Sequence, residues 1–104
     1  MQLRHLAHIR TGDKGRIVTI SVTTYRAEDF PLLESALTAE RVTEHFRSLL
    51  DPAHAVQRYS LPQLHALNFV LHRPLSQSVT SSLALDTHGK CLGSTLLAID
   101  LTPI

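Results

Sequence analysis

The chain of 104 residues has no tryptophan, one methionine and a single cysteine. With one thiol no internal disulfide can form, so Cys91 points to a reducing cytoplasm, and without paired cysteines a thiolate zinc site is excluded. Glycine and proline are few, four and five residues, and no repeat, low-complexity tract or linker is visible. No apolar run approaches the ~20 residues that a membrane-spanning helix needs. The amino terminus lacks the charged-then-apolar layout of a secretion signal. Excess charge is missing too: the formal net charge is +1, and the bases are scattered among acids. A nucleic-acid binder would show a basic stripe. What remains is an ordinary soluble composition, 43% hydrophobic, of a length that holds one core and one domain over residues 1–104. The compositional oddity is seven histidines.

Residues 3–9 read as a strand. Residues 17–24, IVTISVTT, read as a stronger one, β-branched nearly throughout, with Val18, Ile20 and Val22 on one face and Ile17, Thr19, Ser21 and Thr23 on the other. EDFPLLESAL reads as a short helix, with Asp29 as its cap and Pro31 in the first turn. TAERVTEHFRSLLDP is the clearest helix. Thr38 caps it, and Val42, Phe46, Leu49 and Leu50 form one apolar stripe. Residues 55–61 and 65–72 are extended and hinged at Leu61-Pro62. Leu67, Phe69 and Leu71 share one face, Asn68, Val70 and His72 the other. SVTSSLALD reads as a further strand, KCLGSTLL as a short helix, and LAIDL as a closing strand with Leu97, Ile99 and Leu101 in phase. The order predicts an α+β fold: a mostly antiparallel sheet with helices packed on one face. The other face, half polar, is left for water, a ligand or a second subunit.

Between the first two strands lies a polar knot, Arg10-Thr11-Gly12-Asp13-Lys14-Gly15. Glycines in a turn let consecutive N–H groups converge on an anion, Arg10 and Lys14 add positive charge, and Asp13 is placed to orient either. Arg10 brings a bidentate fork for carboxylate or phosphate. The plain alternative is a hairpin loop with glycines at positive φ and solvated bases. It is not a phosphate-binding P-loop, since no GxxxxGK[ST] spacing exists. His5 and His8 point to opposite faces of a strand and cannot clamp one metal, and no HExxH motif is present, so neither metal nor cofactor is expected. His8 and His72 end strands near the knot, where an imidazole can act as base or donor. Asn68 sits mid-strand in an apolar context. If buried, its amide must find partners, either a neighbouring loop or a ligand. Cys91 reads as core filler.

IRTGDKG, LTAERVTEHF, RYSLPQLHALNFVLH and LALDTHGKCLGSTLLAIDL together resemble the carboxy-terminal domain of the acyclic terpene utilisation (AtuA) family, a module also found as a stand-alone chain. The resemblance spans nearly the whole sequence. It implies a ferredoxin-like sandwich and a place in the breakdown of acyclic terpenes and branched acids as coenzyme A thioesters. It supplies no mechanism. Carried over position by position, the family's recurrent polar residues fall on Arg10, Gly12, Asp13, Lys14, Gly15, Asn68 and His72. Two departures stand out. Arg16-Ile17-Val18 and Thr19-Ile20-Ser21 replace the family's small polar run and Asn-Ile-Gly. Residues 73–78, RPLSQS, replace a glycine-rich loop, which implies a narrowed, altered or abandoned site.

Three roles follow. The first is an accessory or ligand-binding subunit that holds a small anionic ligand at Arg10 to Gly15, with Asn68 and His72 opposite, while a larger AtuA-family partner chain does the chemistry. The second is a small lyase, hydratase or isomerase acting on a coenzyme A thioester, with Lys14 or His72 as base and Asp13 as orienter. The third is a structural homodimerisation module using the open sheet face. A homodimer is the expected assembly, on the open sheet face and the small size, and neither nucleic acid nor membrane is among the expected partners.

Overall fold

Residues 17–24 decide the sheet. Their β-branched alternation forms β2 (Ile17–Thr24), with Val18, Ile20 and Val22 buried and Ile17, Thr19, Ser21 and Thr23 on the opposite side. A one-residue slip would turn that apolar set to solvent, so the register is strongly specified. In the computed structural model, which describes residues 2–73 and 92–101, β2 pairs antiparallel on both sides. Its neighbours are β1 (Ala7–Lys14) and β4 (Ala66–His72), and β3 (Gln57–Leu61) completes the order β1-β2-β4-β3. Leu67, Phe69 and Leu71 of β4 lie on the same side as Val18, Ile20 and Val22, and all are buried.

The helices lie in the connection between β2 and β3. A 3-10 turn, Ala27–Asp29, leads into α1 (Phe30–Ala36), with Pro31 in its first turn. Asp29 precedes α1 but makes no side-chain capping hydrogen bond. Thr38 does cap α2 (Ala39–His45): its hydroxyl oxygen accepts the Arg41 N–H at 3.2 Å. α2 ends sooner than its sequence pattern implies and passes into a 3-10 turn, Arg47–Leu49. Phe30, Leu33, Leu37, Val42 and Phe46 fill the core against the inner sheet face. Burying each large apolar side chain contributes roughly 1.5–3 kcal/mol. Arg58 of β3 ties the layers together: its guanidinium donates to the Glu34 and Leu37 carbonyls at 2.6 and 3.1 Å, satisfying orphan acceptors at the end of α1.

The crossover from β2 through the helices lands on β3, with β4 inserted between the two strands. β2 and β3 both run antiparallel to β4 and so parallel to each other, a split β-α-β unit. The α+β, ferredoxin-like expectation holds. The hinge at Leu61-Pro62 is also found, as a 3-10 turn at Pro62–Leu64 closed by His65 in the left-handed region at φ 54°.

Three further expectations are corrected. Leu3–His5 is a 3-10 turn, and β1 begins only at Ala7. The polar knot is not a loop, because β1 continues to Lys14 and only Gly15 and Arg16 make the turn. An edge strand running past the core has no apolar requirement, so polar residues there carry no turn signal. Gly15, at φ 60°, supplies the positive φ that the first central position of a type II′ hairpin requires. The closing strand at residues 97–101 is absent. Leu97 ends α3 (Leu92–Leu97), and Asp100 makes an isolated bridge to Gln2. The expected strand SVTSSLALD at residues 78–86, the turn after it, Cys91 and all of the altered loop 73–78 except Arg73 lie outside the described residues.

Candidate binding face

Antiparallel register places directly opposite residues on the same side of a sheet. The pairs therefore map, row by row, the face turned away from the described helices. Lys14, Ile17 and His72 form the first row; Gly12, Thr19, Val70 and Gln57 the second; Arg10, Ser21, Asn68 and Tyr59 the third; His8, Thr23, Ala66 and Leu61 the fourth. With strands ~4.8 Å apart, a four-strand row spans about 14 Å. Arg10, Gly12, Lys14, Asn68 and His72 thus share one face. None of the positions in these rows is acidic.

Asp13 does not join them. It lies opposite Val18, on the helix side, and its Oδ2 accepts a hydrogen bond from Arg73 Nη2 at 3.1 Å. Asp13 is therefore placed to orient Arg73, not Lys14 or Arg10. The backbone of Gly12 and Asp13 is in register with Thr19 and Val18 of β2, so the two residues belong to a ladder and not to an anion-cradling turn.

The third row carries the ordered polar contact. The Ser21 hydroxyl donates to Asn68 Oδ1 at 2.6 Å. This answers what the mid-strand amide bonds to: its acceptor is engaged by the neighbouring strand, and its NH₂ group is the end that a ligand would meet. Beside it, the Thr19 hydroxyl donates to the Gly12 carbonyl at 3.4 Å. A Cβ at Gly12 would lie 3.3 Å from that hydroxyl, so the glycine leaves a notch where a side chain would press on Thr19. Gly12, Asp13, Lys14, Ile17 and Thr19 line a shallow depression of about 420 Å³.

At the end of β4, the His72 ring stacks on His54, centroids 4.4 Å apart and planes 18° from parallel. His72 Nδ1 is buried with no hydrogen-bond partner, and His54 Nε2 lies 3.9 Å from Asp51 Oδ2. Sequence reasoning missed His54, Tyr59 and Arg73 as neighbours of these groups. Tyr59 had a signal, since it alternates into phase with Asn68 once the hinge at Pro62 is taken as a hairpin. His54, in an irregular segment, and Arg73, past the end of its strand, had none. Away from the face, His45 at the end of α2 titrates below the usual imidazole range. Burial lowers it and a hydrogen bond with the Thr95 backbone opposes part of that shift.

Among the described residues no group of three or more His, Cys, Asp or Glu side chains is disposed to hold a metal ion. No described helix is long and apolar enough to cross a membrane. In comparisons with known proteins, residues 1–102 match a family model described as the AtuA ferredoxin-like domain. No curated protein and no solved structure matches the chain.

Proposed function

Because the chain belongs to the AtuA ferredoxin-like domain family, we propose that it is an accessory binding module of a cytoplasmic acyl-coenzyme A system for acyclic terpenes or branched acids. It holds a carboxylate- or phosphate-bearing group on the open face of its sheet. The observation that supports this reading is the sign of the charge there: the rows contain Arg10 and Lys14 and no acid. Around them stand uncharged donors, the Ser21 and Thr19 hydroxyls and the Asn68 amide. Such a face attracts anions and offers nothing to cations.

An accessory role fits better than a catalytic one. A catalytic reading needs Asp13 to orient Lys14 or Arg10, and the carboxylate is turned to the other side of the sheet and bonded to Arg73. The larger family chain, in this reading, supplies the chemistry.

The test is thermal unfolding of the protein with inorganic phosphate, coenzyme A or poly-L-glutamate. At tenfold excess over the dissociation constant at least one should raise the midpoint by about 5 °C. Lys14→Ala and Arg10→Ala should each reduce that rise. If no anion in the panel raises the midpoint, the binding role is wrong.

A further inference from the structure

We infer that the anionic group this face receives belongs to a second protein of different sequence, so that the four-strand face is a docking surface for an acidic protein surface. The inference rests on the anion-binding reading above and names the carrier of the anion.

Shape comes first. Sites for small molecules are concave and bury most of the ligand. Here the face is an open sheet, with Ile17 41% exposed near one corner and Tyr59 50% exposed on the far edge. The shallow notch at Gly12 covers one side of it only. Arg10 and Lys14 are four positions apart on one strand, which separates their backbones by about 13–14 Å. One compact anion cannot sit close to both strand positions, whereas carboxylates spread over a protein surface can meet each cation separately.

Chemistry agrees. The third row presents a guanidinium, a hydroxyl, an amide and a phenol in sequence across the sheet, Arg10, Ser21, Asn68 and Tyr59. Arg and Tyr are the residue types enriched where protein interfaces carry their binding energy. The Ser21–Asn68 hydrogen bond at 2.6 Å fixes the amide before any partner arrives, which lowers the ordering cost of association. Four strands by four rows cover roughly 14 by 20 Å, the scale of a transient contact and smaller than the ~800 Å² per partner of a standard interface. Charge then sets the encounter rate more than the final affinity.

A second copy of this chain is a poor occupant. Two such faces opposed would confront Arg10 and Lys14 with their own counterparts and, among the described residues of the rows, no carboxylate, and like-charge juxtaposition suppresses association.

The experiment follows backbone amide shifts of the ¹⁵N-labelled chain during titration with poly-L-glutamate, and in parallel with inorganic phosphate and coenzyme A. Poly-L-glutamate should shift Arg10, Thr19, Ser21, Asn68 and Tyr59 saturably. Its affinity should fall at least tenfold between low and moderate salt, and at least fivefold in Arg10→Ala, whose folding the same spectrum checks. Phosphate and coenzyme A should not saturate at those amides. If a small anion saturates there and poly-L-glutamate does not, the docking inference is overturned while the anion-binding reading stands. If simple dilution of the protein moves the same amides, the occupant is a second copy and the inference is wrong. If poly-L-glutamate shifts other residues, or nothing binds, the docking surface is rejected, and in the last case the anion reading falls with it.

Discussion

Asp13 and Arg73 meet across β2, Oδ2 to Nη2 at 3.1 Å, although 60 positions of sequence separate them. The Arg73 side chain is 9% exposed and that of Asp13 31%. Arg73 is further anchored by its backbone, whose N–H donates to the Arg16 carbonyl at 2.8 Å. The pair joins the end of β4 to the end of β1 over the strand between them. Register puts Asp13, the one acid of β1, on the helix side, so the described rows of the open face hold Arg10 and Lys14 and no acidic position.

Removing Asp13 should cost stability, because the guanidinium of Arg73 stays largely out of water. Breaking a buried pair from one side costs about 3–5 kcal/mol, and partial exposure of Asp13 reduces that to about 2 kcal/mol for Asp13→Ala. Asp13→Ala combined with Arg73→Met should recover part of the loss, since no guanidinium is then left buried without the Asp13 carboxylate. Urea denaturation measures both. An Asp13→Ala variant as stable as the parent would show that the contact is incidental.

Gly15→Ala isolates a backbone effect. The residue sits at φ 60°, and an added Cβ would meet nothing within 4 Å. The cost is therefore conformational, about 1–2 kcal/mol, while Gly15→Asn should cost less because asparagine tolerates the left-handed region. Equal stability of the three proteins would mean the hairpin relaxes into another turn. Gly12→Ala is a useful contrast: the glycine is in a strand, and the added methyl would press on Thr19 without any demand on φ.

Much of this arrangement was legible in the residues, and the limits have physical causes. The alternation in 17–24 placed Val18, Ile20 and Val22 inward because a half-buried strand has no other way to hide them. Thr38 announced its helix because a hydroxyl before a helical run satisfies an orphan N–H. That Arg10, Lys14, Asn68 and His72 share one face depends on β1 running on to Lys14 and on β1 and β4 flanking β2, an order the residues alone do not state. Asp13 was misassigned because its polar run resembles a loop, and a polar residue at the end of an edge strand gives no sign of which face it takes. Its partner Arg73 lies beyond a strand end, where periodicity stops. The closing strand at 97–101 failed for the converse reason: Leu97, Ile99 and Leu101 alternate, yet short alternating runs fit the end of a helix and an extended tail equally well.

Ser21→Ala tests the polar lattice of the open face. The lost hydrogen bond to Asn68, 2.6 Å and partly buried, should lower stability by about 0.5–1.5 kcal/mol. The larger consequence is local. The Asn68 amide loses the partner that fixes its orientation, so its side-chain NH₂ resonances should move together and broaden. Poly-L-glutamate binding should weaken by several fold through lost preorganisation even though Ser21→Ala removes no charge. Unchanged Asn68 resonances would show that the amide is held by something other than the serine.

His45 predicts the direction of one pH effect. Its folded imidazole titrates below the ordinary value, mainly because burial disfavours the charged form, while the unfolded chain keeps the ordinary value of about 6.5. Between the two values the unfolded state binds more protons than the folded state. The stability associated with this residue is thus fully present above the unfolded value and is lost as pH falls toward the folded one. An NMR titration of the His45 ring should give a midpoint below 6.5, and His45→Gln should flatten that part of the stability profile between pH 7 and 5. A His45 midpoint equal to the unfolded value would remove the effect, and one above it would reverse the sign: the residue would then stabilise the fold on acidification, and the contact with the Thr95 backbone would outweigh the burial.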